Sequence, residues 1–399
     1  MSSSPAPARG GRLLVLLAFV LLALNLRPAA VSVGPVLAEI TAGLGMSNAV
    51  AGVLTSLPVV AFAIFGASAP WAARLFGLHR SLLLSLALLV VGLGGRAVTD
   101  SVVLFMLLSL VALAGMATGN VLLPSLVRLH FPDRIGLATA LYSTALAIGL
   151  TCAFLLTVPA AQAFGGWRQG LGLWAVVGLV AALPWALMVA HDRRPGSSRP
   201  QVSLRAVART PIGVMMALTF GLQSLQAYTI FGWFAQLWRD SGFSATTAGA
   251  LVGLLAGVSI PLSLWLPRAA ARRTDQRGIV LAVMACYPVG YLGLILYPQQ
   301  LAVLWALLVG VGACTFPLVL SLIALRSRTP EGTAALSGFT QAAGYLLAAV
   351  GPFTVGVLYD ATGGWTWPLV LLLVVLVPQL VTTLYVARPG HVEDQIRPA

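Results

Sequence analysis

The chain has 399 residues, of which 59% are hydrophobic and 8% are charged, and its mean hydropathy is +0.95. Soluble domains carry roughly 25% charged residues, so this composition excludes a soluble domain and predicts an integral membrane protein. The net charge is +13, but all 23 basic residues are arginines that lie mainly in short clusters between apolar runs. No polar stretch is long enough for the basic domain of a nucleic-acid-binding protein.

The N-terminal segment SSSPAPARGGRLLVLLAFVLLAL resembles a signal peptide. The apolar run continues past Arg27 to Glu39 and more spans follow, so we expect this segment to be retained as the first membrane helix. A membrane-spanning helix needs about 20 mostly apolar residues. By this criterion the sequence predicts twelve spans, at approximately 12–36, 48–70, 81–98, 102–127, 136–158, 169–190, 210–236, 247–267, 279–297, 301–325, 334–358 and 366–387.

The arginines are distributed unequally between the two sides of these spans. With the N-terminus inside, the cytoplasmic segments hold 19 arginines and the outer loops hold three, namely Arg96, Arg168 and Arg239. Arg27 is the remaining one. Cytoplasmic loops of membrane proteins carry an excess of basic residues, so the asymmetry predicts a multi-pass protein of the cytoplasmic membrane with both termini inside.

The two halves of the chain show internal similarity. The segment PDRIGLAT at 132–139 matches PEGTAALS at 330–337, and GGW at 165–167 matches GGW at 363–365, both at a separation of 198 residues. A third pair, GMSNAVAG and GFSATTAG, is separated by 197 residues. These matches predict a duplicated six-helix unit, with an N-terminal half over 1–190, a cytoplasmic linker over 191–209 and a C-terminal half over 210–399. Two parallel six-helix halves are the plan of the major facilitator superfamily.

Ionisable residues other than arginine avoid the predicted membrane interior. Every aspartate, glutamate and histidine maps to a loop or a span end, and the three cysteines lie in apolar runs without metal-ligand spacing. Enzymes need clusters of such residues as metal ligands or general bases. The sequence therefore predicts neither an enzyme nor a metal or cofactor site.

Arg27 is the exception, because it lies about midway between Arg12 and Glu39, the polar ends of the first span. Pro28 cannot donate a hydrogen bond to the Leu24 carbonyl, so we expect the helix to loosen beside the charge. A guanidinium offers forked donors to a small oxyanion or carboxylate, which favours an anion site. In the alternative interpretation Arg27 binds freed carbonyls or helix ends and holds the bundle together.

Helix geometry limits the partners of Arg27. Asn25 lies two residues away, about 200° around the helix, so the two side chains cannot face one cavity unless Pro28 distorts the turn. Arg27 shares its face with the small residues Ala23, Ala30 and Gly34, which leave room for a substrate or for a closely packed helix.

Neutral polar residues supply the other candidate ligand contacts. Gln223 and Gln226 share a face of the seventh span, and Tyr228 lies nearby on another face. The separation of 198 residues pairs Gln223 with Asn25. The remaining candidates are Asn120 in the fourth span and Gln341 and Tyr345, which share a face of the eleventh. Amides suit the fixing of a small polar ligand, but they also bind helix to helix.

Several segments resemble one branch of the superfamily, the cyanate/nitroimidazole transporters. They are LNLRPAAVSVGPVLAEI, GNVLLPSLVRLHFP, GLQSLQAYTIFGWFAQLWRDSGFS and LSGFTQAAGYLLAAVGPFTVGVLYDATGGW. The general superfamily motif between the second and third spans is degraded here, since APWAARLFGLHR keeps Gly77 and Arg80 but lacks the acid. The resemblance implies transport of small molecules by alternating access.

These observations predict an all-α membrane protein of twelve helices in two pseudo-symmetric halves, with a central cavity lined by spans one, four, seven and ten. Its expected function is secondary transport of a small anionic or polar solute, such as a cyanate-like or other small organic anion. The alternatives are export of neutral or weakly basic drug-like compounds such as nitroimidazoles, and a sensor that binds without transport. The expected partners are the substrate and the lipid bilayer, and the expected state is a monomer.

Overall fold

The computed structural model describes residues 9–131, 135–188 and 203–396. These residues form helices and no strands, and twelve helical segments are long and apolar enough to cross a membrane. The predicted all-α fold and number of spans are confirmed. The spans, numbered one to twelve in chain order, are Val15–Leu44, Asn48–Phe76, Leu78–Val98, Val102–Val127, Leu141–Phe164, Trp167–Ala186, Pro211–Asp240, Ala245–Ala271, Arg277–Leu296, Ala302–Leu325, Glu331–Thr362 and Thr366–Val386.

Six spans lie in residues 9–188, here called the first half, and six lie in residues 203–396, the second half. The α-helices of the first half are Arg9–Val31, Leu37–Leu44, Asn48–Ala61, Ala67–Phe76, Leu78–Val98, Val102–His130, Ile135–Phe164 and Trp167–Met188. Those of the second half are Leu204–Ala208, Pro211–Asp240, Ala245–Gly257, Ser259–Ala271, Arg277–Met284, Cys286–Leu296, Ala302–Ala313, Thr315–Leu325, Pro330–Ala348, Val350–Thr362 and Thr366–Val386. Most of the predicted linker, 191–202, lies outside the described residues.

The first span breaks one turn after Arg27 rather than beside it. Its helix Arg9–Val31 continues through Pro28, and a short 3-10 turn, Gly34–Val36, connects it to the helix Leu37–Leu44. Pro35 has no N–H to donate to the Val31 carbonyl, so the hydrogen-bond ladder is interrupted there. The helix is therefore not broken at Pro28, a loosening beside the charge stays a prediction, and the span ends at residue 44 rather than 36.

The second span contains a wider helical turn near its middle. The α-helices Asn48–Ala61 and Ala67–Phe76 are joined by a π-helical segment, Phe62–Gly66. Such segments are uncommon and often occur at functional sites. Here the segment places the ring of Phe62 at the contact with the eleventh span, where it stacks on Tyr345 with ring centroids 4.8 Å apart.

The two ends of the bundle differ in how the halves meet. We call the end that holds loops 45–47, 99–101, 165–166, 241–244, 297–301 and 363–365 the arginine-poor end, and the opposite end the arginine-rich end. Four side-chain hydrogen bonds join described residues of different halves at the arginine-poor end. The four bonds run from Asn48 Nδ2 to Asp360 (2.6 Å), from the Ala49 N–H to Asp360 (3.0 Å), from Arg239 to Glu39 (2.7 Å) and from Thr246 to Gln162 (3.2 Å).

Glycines bring the halves into backbone contact at the same end. A Cβ atom on Gly34 would lie 2.2 Å from the carbonyl oxygen of Phe231. One on Gly52 would lie 3.1 Å from the backbone of Phe353. The approach at Gly34 requires a residue without a side chain, and the contact at Gly52 is also tight. The structure therefore has the arginine-poor end closed, with the site described below on its inner side.

Candidate functional site

Arg27 lies at the centre of the candidate site. The helix Arg9–Val31 carries it to the middle of the first span, where its side chain is half-buried. The described ion pairs join Arg168 to Asp100, Arg239 to Glu39, Arg277 to Asp275, and Arg328 and His391 to Asp394. Within this set Arg27 has no acidic partner. None of these carboxylates therefore neutralises its positive charge.

Two tyrosines from the second half lie beside this charge. The guanidinium of Arg27 lies against the hydroxyl of Tyr228 on the seventh span, and Tyr345 on the eleventh span is close enough to interact with both. Both tyrosines are nearly buried, with exposed fractions of 6% and 5%. The structure thus brings together three of the predicted site residues, from spans one, seven and eleven.

Aromatic rings from both halves lie around this group. Tyr345 stacks on Phe62, and its other contact is the edge of Phe220, at a centroid distance of 5.0 Å. Tyr228 packs edge-on against Phe231, and Phe231 packs against Phe154 of the fifth span. The site therefore contains one guanidinium and two tyrosine hydroxyls next to a cluster of phenylalanine rings.

The predicted glutamines lie elsewhere, inside the second half. Gln223 donates to the Tyr287 hydroxyl (3.2 Å) and to the Ala313 carbonyl (3.1 Å), and accepts from Gln379 (2.6 Å). Gln226 donates to the Leu372 carbonyl (3.0 Å) and accepts from the Tyr291 hydroxyl (2.7 Å). Both side chains are fully buried. In this conformation they connect spans seven, nine, ten and twelve and do not adjoin Arg27.

The other predicted amides are also separate from Arg27. Asn25 is 1% exposed, and its Oδ1 atom faces Gly178 of the sixth span, on the opposite side of the helix from Arg27. Neither polar atom of Asn25 has a hydrogen-bond partner among the described residues. Asn120 is half-buried in the fourth span, and Gln341 donates to Ser337 of its own helix (2.8 Å). A direct ligand contact by any of these amides stays a prediction.

The structure contains a second buried cation that the sequence does not predict. Arg96 was expected in an outer loop, but it lies inside the helix Leu78–Val98 with an exposed fraction of 1%. It donates to the Ser32 hydroxyl (2.9 Å) and to the Ala29 carbonyl (3.3 Å), where the first helix ends. The signal was present, because Arg96 stands within the apolar run that defines the third span.

A small cavity lies between Arg96 and Tyr228. Its volume is about 10 Å³, roughly the room needed by one water molecule. It is lined by Ala29, Ala30, Val33, Gly34, Leu54, Thr55, Pro58, Arg96, Ser109, Leu113, Tyr228, Phe231 and Gly232. Across the parts of the chain that the structure describes, no three His, Cys, Asp or Glu side chains are grouped so that they could hold a metal ion.

A sequence model of the Major Facilitator Superfamily matches residues 13–346. The chain belongs to the major facilitator superfamily. This member is similar to the transporter YycB of Bacillus subtilis (strain 168), with 38% identity over 90% of this chain and 89% of that one. It is 33% identical to the 2-nitroimidazole transporter of Escherichia coli K12, over 92% and 94% of the two chains. It is 31% identical to the cyanate transport protein CynX of the same organism, over 88% and 91%.

These similarities confirm the resemblance to the cyanate/nitroimidazole branch. They identify this superfamily member as a membrane transporter rather than an enzyme. Among solved structures, a bacterial homologue of the human lysosomal transporter Spinster in its inward-facing, unoccupied conformation superimposes with a TM-score of 0.79. It is 17% identical, and the match covers 98% of this chain and all of the other. This likeness confirms the fold of two six-helix halves.

Proposed function

We propose that this transporter moves a small anion, either cyanate-like or an organic carboxylate, across the cytoplasmic membrane by alternating access, and that Arg27 binds the anion. The observation that carries the proposal is the half-buried guanidinium without an acidic partner among the described residues. A charge in the membrane interior is costly unless another group compensates it. A bound anion supplies that compensation.

The neighbours of Arg27 suit the same ligand. The hydroxyls of Tyr228 and Tyr345 can donate hydrogen bonds to an anion that is held by the guanidinium fork. No buried carboxylate of the described residues competes for the cation. The site is built from the two halves of one chain, which supports a monomeric transporter.

The proposed cycle is a rocking of the two halves. The hydrogen bonds and glycine contacts at the arginine-poor end would separate, while contacts at the arginine-rich end form. The excess of arginine supports a cytoplasmic location for the arginine-rich end and for both termini. The described residues include no buried carboxylate, which disfavours proton antiport driven by a carboxylate and favours exchange, facilitated diffusion, or cotransport with a proton carried by the substrate.

The second candidate is transport of nitroimidazole-type compounds. The aromatic wall favours it, because Phe62, Phe220 and Phe231 offer stacking surfaces to a flat neutral ring. The relative named as a 2-nitroimidazole transporter also supports it. In this case Arg27 would bind the nitro oxygens rather than a full negative charge.

Ligand binding to the purified protein distinguishes the two candidates. Thermal unfolding is measured with cyanate, benzoate or 2-nitroimidazole, for the unaltered protein and for Arg27→Gln, with Arg168→Gln as a control that removes an arginine outside the site. We expect cyanate or benzoate to raise the melting temperature of the unaltered protein and of Arg168→Gln, but not of Arg27→Gln, since only a ligand that binds the folded state stabilises it.

Transport in proteoliposomes provides the second readout. We expect Arg27→Gln to lower kcat/KM for the stabilising anion by at least about a hundredfold, since a hydrogen-bonded charge pair in a desolvated site is lost. Unchanged anion uptake by Arg27→Gln contradicts the proposal. Stabilisation by 2-nitroimidazole alone favours the second candidate.

A further inference from the structure

Arg96 is a buried cation that the proposed function does not use. It is 1% exposed, and none of the ion pairs between described residues includes it. Its Nη1 and Nη2 atoms donate to Ala29 and Ser32, but its Nε–H has no partner. A buried guanidinium is costly unless its donors and its charge are satisfied. The two hydrogen bonds to the first span therefore satisfy only some of the donors of Arg96.

The cavity beside Arg96 contains a second unsatisfied group. Ser109 on the fourth span lines this cavity and is 1% exposed, and its hydroxyl has no hydrogen-bond partner among the described residues. A guanidinium N–H and a hydroxyl on residues that line one space are a donor set for an oxyanion or carboxylate. In the closed conformation the space, about 10 Å³, is too small for such a ligand.

The cavity lies on the boundary between the halves. Arg96, Ser109 and Thr55 come from the first half, while Tyr228, Phe231 and Gly232 come from the seventh span. Movement of the seventh span away from the first half would enlarge the cavity. It would leave Arg96 in place, because both of its hydrogen-bond partners lie on the first span of its own half.

Tyr228 connects this cavity to the proposed anion site. It lines the cavity and its hydroxyl lies against Arg27. Tyr228 thus adjoins Arg27 and shares the cavity with Arg96, which lies nearer the arginine-poor end. An anion that enters from that end would meet Arg96 before it reaches Arg27.

We propose that Arg96 and Ser109 form a second anion-binding position, which opens with the arginine-poor end and passes the substrate to Arg27. This inference rests on the proposed anion transport and adds a specific prediction about sidedness. Arg96 then acts on ligand entering or leaving through one face, whereas Arg27 acts on ligand from both faces.

Uptake into membrane vesicles of both orientations tests the proposal. Radiolabelled cyanate and benzoate are offered to the arginine-poor face in one preparation and to the arginine-rich face in the other. The variants are Arg96→Gln, Arg96→Lys and Ser109→Ala, with Arg27→Gln for comparison. Arg168→Gln serves as the matched control, since it removes an arginine at the same end of the bundle that does not line the cavity. Ser109→Ala leaves both hydrogen bonds of Arg96 intact, so its effect is independent of any role of Arg96 in folding.

We expect Arg96→Gln to raise KM at least about tenfold for entry from the arginine-poor face, and less than about twofold from the other face. Arg96→Lys should give an intermediate increase, because it keeps the charge without the fork. Ser109→Ala should raise the same KM about threefold.

Equal changes on both faces, or unchanged KM in Ser109→Ala and Arg96→Gln, would overturn the second position and leave the role of Arg27 standing. If Arg27→Gln transports normally while Arg96→Gln shows the sided defect, the assignment of Arg27 fails and the second position holds. Absence of uptake of either anion by the unaltered protein overturns both proposals.

Discussion

The two halves are alike where they pack against each other and different where they would bind a ligand. Gly34 and Gly232 are 198 residues apart, and each faces the other half. A Cβ on Gly34 would lie 2.2 Å from the Phe231 oxygen, and one on Gly232 would lie 2.8 Å from Thr55. Glycines at equivalent positions in the two halves thus allow the same close contact between the halves.

The hydrogen bonds across the arginine-poor end follow the same symmetry. Asn48 bonds to Asp360, and the residues at equivalent positions, Thr246 and Gln162, bond to each other. The symmetry is inexact, because only the first pair includes a carboxylate. Duplication of a six-helix unit explains why one end closes with matched contacts.

The ligand-binding groups are not duplicated. The position equivalent to Arg27 is Leu225, which packs against Gly351, and the position equivalent to Tyr228 is Ala30. One half therefore supplies the cation and the other supplies the phenol. A single small substrate needs only one charge partner, so one copy of each group is sufficient, whereas closure needs contacts from both halves.

Gly34→Leu should prevent the two halves from closing at the arginine-poor end, and we expect it to have the largest effect on transport. The added side chain collides with the Phe231 backbone, and overpacking of this kind costs the closed state about 1–3 kcal/mol or more. We expect transport of any substrate to fall at least about a hundredfold in proteoliposomes. Gly364→Ala is the matched control, because a Cβ there has nothing within 4 Å. Normal transport by Gly34→Leu would show that this end does not close as described.

Substitution of the amides at equivalent positions in the two halves, Gln223 and Asn25, should change the free energy of unfolding in opposite directions. Gln223→Leu leaves the Tyr287 and Gln379 side chains without their partner, so we expect the free energy of unfolding to fall by about 1–3 kcal/mol. Asn25→Leu removes a buried amide without partners and should raise it by about 1 kcal/mol. Denaturation in detergent with matched protein concentrations measures both. A loss of stability in Asn25→Leu would indicate a partner, such as a bound water.

The charged and neutral cross-half bonds should differ in strength. Asp360 accepts from Asn48 and from the Ala49 N–H at the start of the helix Asn48–Ala61, where the helix dipole favours a negative charge. We expect Asp360→Ala to raise the population open at the arginine-poor end about five- to tenfold, and Gln162→Ala about twofold.

The reporter for that opening is the rate at which a membrane-impermeant thiol reagent labels A30C, in a background without Cys152, Cys286 and Cys314. Ala30 lines the small cavity beside Tyr228. Equal labelling rates for the Asp360 and Gln162 variants would mean that the carboxylate adds nothing to closure.

Tyr228→Phe should have only a small effect on the KM for the anion. The substitution keeps the ring contact with Phe231, at a centroid distance of 6.2 Å, and removes the hydroxyl beside Arg27. Loss of one neutral hydrogen bond predicts an increase of about two- to fivefold in KM for the anion, with kcat little changed. A KM equal to that of the unaltered protein would place the hydroxyl outside the ligand site.

Much of the fold follows from local sequence properties. Twelve apolar runs predict twelve spans, and the mid-span position of Arg27 follows from its distance to the polar ends. Sequence reasoning placed Arg96 in a loop, because it stands close to the end of its apolar run. The packing of the third span against the first determines that this arginine is buried.

The sequence by itself determined which segments enter the membrane, because hydropathy and length are properties of each segment alone. It also determined that Asn25 and Arg27 face different sides of one helix. Only the tertiary structure decided that Arg27 meets Tyr228 and Tyr345, while Gln223 and Gln226 turn into their own half. The rotation of a helix about its axis is decided by side-chain packing against spans far away in the chain, and that packing is not encoded in any one segment.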